Sequence, residues 1–591
     1  MRASLVLGRA RGAALAVAAG AAVVLGASFG CANKRHAPGQ PGSSAAAALT
    51  ALPEPAGVLG ELSLAHPDAT YRALRELGRP LSSLLPAGFP MFAATLAGLP
   101  PLSADSFDAD LPAVGLLVQG EGQPGWVLAA HVVSGPELVA KLTTGDRAPF
   151  RALTISGSVP GLKSIEPSPA PGTTPAPAAF SLAVFDNYLL VGSSAEVLKA
   201  AGPYTARMLP RRPPASAPIA LRFSQRALDS NVVPALRALW AGYRTRLTHL
   251  DQSSRSAHGG RAPDFADPAQ VILGADAVVE SLFALLEGAS ALELDLAPFD
   301  NRLDVTIVLE PEASSEVSQK LAALAPGNAR GLLGLPAETE LALGLSRSSE
   351  EREAAGKAAG EDWVRLLGGR LSEHDAQQLR AVLSDWELGR GSETRYGFLG
   401  GSEPGAFLVA QVADTTRLKR AGSGLLGLLA LPGVRAPLVE FVGQPQVSDA
   451  TAPADALPNV TRKKLVFTPG GAGKPAVPPL SFAWLVEEQS GFAAASKHAD
   501  AALKVVVQSA HGEHPTLAAQ PGLSDAVERV GEQAALFAYL DARLAFGATG
   551  AASPEPAPLL ISIAKRGTSA NLRLEIAKPV VDLALRGVTG Q

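Results

Sequence analysis

Histidine pairs are the first candidates for chemistry in this sequence. His511 and His514 are separated by two residues and form the densest histidine cluster of the chain. Two imidazoles at this spacing can share a metal ion, but Gly512 and Pro515 disfavour a regular helix that would present both rings on one face. Spacing alone supplies no third ligand. We therefore expect a solvated loop here and no bound metal.

Clustered carboxylates are the second candidates. Asp105, Asp108 and Asp110 crowd one short segment, but this segment lacks the alternating oxygen ligands and central glycine of a calcium loop. Glu487 and Glu488 are adjacent, and adjacent side chains of a strand point to opposite faces, which does not suit a paired acid and base. The sequence therefore predicts no catalytic residue and no metal ligand.

Glycine-rich and basic segments also fail the tests for a cofactor site. Residues 422–427 carry the three glycines of a dinucleotide-binding turn, but a predicted helix over 415–420 separates them from the preceding strand. Residues 470–474 resemble a phosphate loop, yet Thr468 and Pro475 replace the first glycine and the metal-binding hydroxyl. The basic runs 211–212 and 462–464 are expected to be solvated. We expect no cofactor.

The chain has a single cysteine, Cys31, and its surroundings carry the most specific signal. Arg2, Arg9 and Arg11 precede an uncharged apolar run over residues 12–27, which leads to Gly30 and Cys31. This arrangement resembles the signal of a bacterial lipoprotein precursor. The resemblance implies removal of residues 1–30 and lipidation of the Cys31 thiol. An uncleaved anchor over residues 12–31 and an ordinary secretory signal are the alternatives.

The resemblance also predicts the cellular location of the protein. Residues 31–51 are rich in Pro, Gly, Ser and Ala and are expected to form a flexible tether. In lipoproteins of double-membrane bacteria, Asp after the lipidated cysteine favours the inner membrane, and this chain has Ala32. The expected location is therefore the bacterial cell envelope, with a lipid anchor in the outer membrane.

Composition limits what the rest of the chain can do. The 591 residues are 47% hydrophobic and 18% charged, which is enough apolar material for large cores in more than one domain. The formal net charge is −4 with both signs interspersed, so we expect no nucleic-acid partner. With one cysteine, the chain can form no internal disulfide, and packing must stabilise it.

The local patterns predict an α+β fold. Residues 134–137 and 193–196 have the capping-box spacing of Ser and Glu and are expected to open helices. Asp186-Asn187 lies between two apolar runs and predicts a tight hairpin turn. Apolar and polar residues alternate over residues 572–576, which indicates antiparallel strands with one face exposed to solvent.

The sequence also predicts an internal duplication. Four pairs of segments resemble each other in the same order: residues 58–64 and 341–345, 126–132 and 406–412, 181–185 and 481–485, and 292–309 and 559–576. We expect two tandem related units, over residues 52–330 and 331–591. Each is expected to be a mainly antiparallel sheet with helices on one face.

Four regions should distinguish the two units. Residues 160–179 and 444–479 are rich in Pro, Gly, Ala and Ser and are expected to be exposed loops. Helices are predicted over residues 232–250 in the first unit and 349–388 in the second, with Trp363 among the core contacts.

These features together favour a binding or structural protein over an enzyme. We expect a membrane-anchored envelope lipoprotein without catalytic chemistry, whose partner is an envelope protein or an apolar ligand held between sheet and helices. Two alternatives remain open. One is a periplasm-facing carrier of lipid or another apolar ligand. The other is a hydrolase whose site is assembled from distant residues.

Overall fold

A computed structural model describes residues 52–79, 85–120, 124–144, 149–154, 159–168, 180–213, 217–242, 244–245, 279–280, 283–322, 324–401, 404–441, 443–468, 478–530, 533–543 and 556–589. These residues fall into two compact units. The first unit comprises the described residues up to 317 together with those from 575 onward, and the second comprises those from 318 to 574. Cys31, the predicted signal segment and the predicted tether lie outside the described residues.

The described part of the first unit contains ten strands. They are β1 Val58–Leu64, β2 Ala113–Val118, β3 Gly125–His131, β4 Phe150–Thr154, β5 Lys163–Pro167, β6 Ser181–Phe185, β7 Tyr188–Gly192, β8 Ile219–Ser224, β9 Ala289–Phe299 and β10 Arg302–Pro311. Their order in the sheet is β4-β5-β6-β7-β3-β2-β1-β8-β9-β10, and every neighbouring pair is antiparallel.

The described part of the second unit contains nine whole strands and residues 569–574 of a tenth, β20. They are β11 Thr339–Ser346, β12 Arg390–Leu399, β13 Gly405–Val412, β14 Gln444–Asp449, β15 Thr461–Thr468, β16 Leu480–Val486, β17 Ser490–Ser496, β18 Ala534–Asp541, β19 Pro558–Arg566 and β20 Ser569–Ala577. Their order is β14-β15-β16-β17-β13-β12-β11-β18-β19-β20. Strand for strand, this is the order found in the first unit.

Helices connect the strands in both units. Besides the short helix Gln225–Ala227 and helical residues 233–242 of the first unit, they are α1 Pro67–Leu77, α2 Phe89–Leu96, α3 Gly135–Thr143, α4 Ala195–Arg207, α5 Glu316–Ala322, α6 Ser349–Leu367, α7 Glu373–Gly389, α8 Thr415–Gly427, α9 Pro432–Phe441, α10 Ala499–Ala510, α11 Leu523–Val530 and α12 Lys578–Thr589. The chain is therefore a mixed α+β protein built on antiparallel sheet. Among the described residues, none of the helices is both long and apolar enough to cross a bilayer.

Helices cover both faces of the first sheet, so the expectation of helices on one face is wrong. Val184 in β6 faces Gly135 at the start of α3, whereas Leu190 in β7 faces Gly202 in α4. Val184 and its neighbour Phe185 belong to different core clusters because adjacent strand residues point to opposite faces. The β6–β7 hairpin is a nearly continuous apolar run, and such a run needs cover on both sides.

The second sheet is covered in the same way. Ala483 in β16 packs in the cluster that contains α10. The neighbouring Trp484 faces Gly422 of α8 on the opposite side. Each of these helices follows the strand that corresponds to the strand before α4 or α3 in the first unit.

Local sequence patterns correctly predicted a helix cap and a hairpin turn, and placed a second cap one residue too early. The Ser134 hydroxyl accepts a hydrogen bond from the Glu137 amide at 3.3 Å and caps α3. Ser194, rather than Ser193, caps α4 by accepting from the Val197 amide at 3.2 Å. The predicted two-residue turn joins β6 to β7, and its first residue, Asp186, has a φ of 50°.

Two regions predicted to be loops contain strands. β5 lies within residues 160–179, and β14 and β15 lie within residues 444–479. These strands are at or next to a sheet edge and expose much of their surface, so their sequences lack the apolar alternation of a half-buried strand. The predicted helical region over 349–388 is confirmed as α6 and α7, but Trp363 is 49% exposed and is not a core residue.

Candidate functional site

The first unit contains a cavity of about 370 Å³ between its sheet and the segment that follows α4. Glu61 and Ser63 of β1, Val114 of β2, and Ala220 and Arg222 of β8 line its floor. These strands are neighbours in the sheet, so their side chains form one continuous surface. The walls come from the segment that follows α4, through Leu209, Pro210, Arg212 and Pro213, and from the loop residues 65–66 and 110–112.

Two ion pairs organise the floor and wall of the cavity. Arg212 donates to the Glu61 carboxylate and, at 2.8 Å, to the Tyr204 hydroxyl. Arg222 donates to Glu293 of β9 at 3.0 Å. The first pair joins the wall segment to β1 and thereby fixes the width of the cavity. Leu62, Leu111 and Leu209, together with Pro112, Pro210 and Pro213, supply the apolar part of the lining.

The two arginines of the cavity and the Tyr204 hydroxyl all have raised pKa values and keep their protons. Burial lowers the pKa of Arg212, but Glu61 and Tyr204 outweigh this effect and raise the pKa above its usual value. The hydrogen bond to Glu293 raises the pKa of Arg222. Burial raises the pKa of Tyr204, although Arg212 opposes it. Fixed charges of this kind suit recognition of a polar group better than proton transfer near neutral pH.

The same place in the second unit is filled by protein. The equivalent positions of the two units can be assigned from strand register. β1 and β11 each contain a bulge at the corresponding place, after Val58 and after Thr339, and the residues are matched from there. In the first unit, Glu61, Arg222 and Glu293 stand side by side across β1, β8 and β9. The corresponding residues of β11, β18 and β19 are Ala342, Tyr539 and Leu560, which belong to the core.

The next row of paired strand residues is also filled in the second unit and open in the first. Ser63 of β1 pairs with Ala220 of β8, whereas Gly344 of β11 pairs with Phe537 of β18. A Cβ atom on Gly344 would come within 2.0 Å of the Phe537 ring, so glycine is needed to seat that ring. The large side chain of the second unit thus occupies the place that Ala220 leaves open in the first.

Helix α11 explains why the second unit is closed. Leu523, Ala526 and Val527 of α11 pack in one cluster with Phe537 and Tyr539. The helix lies in the connection between α10 and β18. In the first unit the corresponding connection, between α4 and β8, is shorter and contains the 3-10 turn Leu209–Arg211. This shorter connection forms the cavity wall instead of covering the sheet.

The candidate histidines do not converge. His511 lies 3.3 Å from Glu487, and His514 lies 2.9 Å from Glu338, so each imidazole has its own carboxylate partner. Asp108 lies 3.4 Å from Nδ1 of His131 rather than joining its neighbouring aspartates in a ligand set. Within the described ranges, no group of three or more His, Cys, Asp and Glu side chains could hold a metal ion.

The glycine pattern over residues 422–427 has a packing role. A Cβ on Gly422 would come within 2.9 Å of the Trp484 indole, and one on Gly424 within 2.7 Å of Val382. These glycines lie in α8 and allow it to approach its neighbours closely. Residues 470–474 lie outside the described residues.

The local sequence patterns did not predict the cavity residues. Arg212 is 41% exposed, as the prediction of a solvated run requires, but it also pairs with Glu61, which lies 151 positions earlier in the sequence. Arg462 was also expected to be solvated, yet its side chain is 10% exposed and pairs with Asp500. A usable signal was present in Glu61 and Arg222, which are charged residues within otherwise apolar strands.

Comparisons with known proteins give no family. No protein-family model, no curated protein and no solved structure matches this chain.

Proposed function

We propose that this chain is a lipid-anchored bacterial envelope protein with a binding role and without catalytic chemistry. In this proposal Cys31 holds the protein at the outer membrane, and the first unit binds a ligand in the cavity next to Glu61 and Arg212. The ligand presents a polar group to the ion pairs and an apolar part to Leu111, Val114 and Leu209.

We further propose that the two units arose by duplication of one α+β unit. The shared strand order supports this, as do the shared places of α3 with α8 and of α4 with α10. Copies of one unit can diverge, so that one keeps a closed core while the other acquires a binding site.

One observation carries the binding role. The sheet position that is filled by Phe537, Tyr539 and α11 in the second unit forms a cavity lined by Ser63 and Ala220 in the first. A concave site with apolar walls and a few fixed polar groups is the usual form of a small-ligand site.

The second unit shows which substitutions should fill the cavity of the first. Replacing Ser63→Gly together with Ala220→Phe reproduces the Gly344–Phe537 pair and should fill the cavity without disturbing the strands. The matched control is Ser63→Gly alone, which leaves the cavity open. Each protein is purified from its native envelope and analysed by mass spectrometry for bound small molecules.

We expect a bound species with the wild type and the control and at least about a tenfold loss with the double variant, since filling a pocket removes its contacts. Retention of the same species by the double variant would place the ligand elsewhere. A wild-type protein that carries no species would contradict a stable small-ligand complex.

The anchor has a separate test. Cells are fed an alkyne-tagged fatty acid, and the protein is tested for the label and for sedimentation with membranes. We expect Cys31→Ser to abolish the label and to weaken sedimentation with membranes, and Ala32→Ser, the matched control, to retain both. Ala32→Asp should retain the label and move the protein to the inner membrane. Label on Cys31→Ser would refute lipidation at this thiol.

The two alternatives give other outcomes in these experiments. A carrier of lipid would release acyl chains on organic extraction of the mature protein freed of its own anchor. A hydrolase would show turnover that is lost on substitution of a residue in its site.

A further inference from the structure

An uncharged segment of the first unit exposes large apolar side chains to solvent. No charged residue occurs from residue 80 to residue 104. Met91 is 37% exposed, Leu96 54% and Leu102 75%, and nearby Val133 is 63% exposed. These four residues are called the apolar surface below.

The members of the apolar surface lie on connected elements. α2 packs against the 3-10 helix Pro101–Ser106, which contains Leu102. The Val133 amide donates to the Ser106 carbonyl at 2.9 Å, so Val133 lies beside the same 3-10 helix. Large exposed apolar side chains on connected elements are uncommon on proteins that contact only water, and they often mark an interaction site.

The backbone beneath the apolar surface is held in place. Phe92 turns inward from α2 and contacts the Tyr71 ring of α1, with 5.1 Å between the ring centroids. Lys141 donates through Nζ to the Leu102 carbonyl at 2.5 Å. Leu102 is therefore presented outward by a supported backbone, and little conformational entropy remains to be lost on binding.

The position of the expected anchor supports one occupant, the bilayer. Residues 32–51 can span at most about 70 Å even when fully extended. They lead to Leu52, which packs against the core of the first unit, the unit that carries the apolar surface. An anchor at Cys31 would thus keep this surface within reach of the membrane, at a high effective concentration of lipid.

We propose that the apolar surface inserts into the interface of the membrane that holds Cys31, so that the body lies on the bilayer. This inference rests on the anchor proposed above. A second membrane contact is physically reasonable, because a lipid-anchored protein is held more firmly when another part of it also binds the bilayer. Insertion would bring Leu102 and Val133 among the acyl chains, while the Lys141 ammonium stays at the headgroup level.

The test separates the apolar surface from the anchor. The mature chain with Cys31→Ser, which lacks the acylated thiol, is mixed with neutral phosphatidylcholine vesicles, and binding is measured by co-flotation. The test variant adds Leu102→Glu. The matched control adds Leu239→Glu, because Leu239 is 52% exposed in the same unit but lies outside the apolar surface. Circular dichroism checks that both variants fold.

We expect measurable vesicle binding that Leu102→Glu lowers about tenfold or more and that Leu239→Glu leaves within about twofold. Absence of vesicle binding by the Cys31→Ser chain would overturn the inference, whereas failure of fatty-acid labelling would overturn only the anchor. Self-association that Leu102→Glu abolishes, without vesicle binding, would identify the surface as a protein interface and also overturn the inference.

Discussion

At the scale of single residues, Gly344 decides whether the second unit can close. Its hydrogen atom leaves room for the Phe537 ring, which a Cβ would approach to 2.0 Å. We predict that Gly344→Ala lowers the free energy of unfolding by about 1–3 kcal/mol, because the ring must leave its place in a packed core. Urea unfolding measures the change. Gly334→Ala is the control, since a Cβ there meets nothing within 4 Å. Equal effects of the two substitutions would contradict the conclusion that the Phe537 ring fills this place in the second unit.

His131 gives the first unit a pH-dependent stability. Burial lowers its pKa below 6.5, although Asp108 opposes the shift, and Tyr188 packs against the ring. The unfolded chain then binds a proton more readily than the folded chain, so stability rises with pH across the window just below 6.5. We predict that His131→Gln flattens this rise in thermal unfolding scans. His374→Gln, at an exposed position of α7, should leave it unchanged.

At the scale of elements, a buried arginine joins α6 to the end of α7. The Arg352 side chain donates to the Glu387 carbonyl at 3.0 Å and to the Arg390 carbonyl, and burial lowers its pKa. We predict that Arg352→Met costs about 2 kcal/mol or more, because the carbonyls at the end of α7 lose their donor. Arg365→Met on the same helix should change stability by less than about 0.5 kcal/mol, since Arg365 is 79% exposed. Chemical denaturation that ranks the two equally would refute this role.

Sequence patterns predicted those elements that signal locally. The Asp186-Asn187 turn and the Ser134 cap each depend on a few neighbouring residues, and both are present. The edge strand β14 was missed because an edge strand needs no apolar alternation. The cavity was missed for a different reason. Glu61 and Arg212 meet only after the sheet and α4 have formed, so no local pattern could join them.

At the scale of the whole molecule, the same strand order supports two different uses of one sheet. In the second unit α11 and the aromatic residues of β18 complete a core. In the first unit the equivalent row carries Glu61, Arg222 and Glu293, which need water or a polar partner. The difference between the units is thus concentrated in one connection and two rows of side chains, while the strands keep their order.

Separate cores in the two units predict separate unfolding transitions. The core around α4 contains Leu198, which is 1% exposed, and the core around α10 contains Leu503, also 1% exposed. Because these two clusters lie in different compact units, we predict two transitions in guanidinium unfolding of the full chain. Leu198→Ala should lower the midpoint of one transition and Leu503→Ala that of the other, each by the equivalent of about 2–5 kcal/mol. Tryptophan fluorescence and circular dichroism follow the unfolding together. A single transition that both substitutions shift equally would show that the two units unfold as one cooperative body.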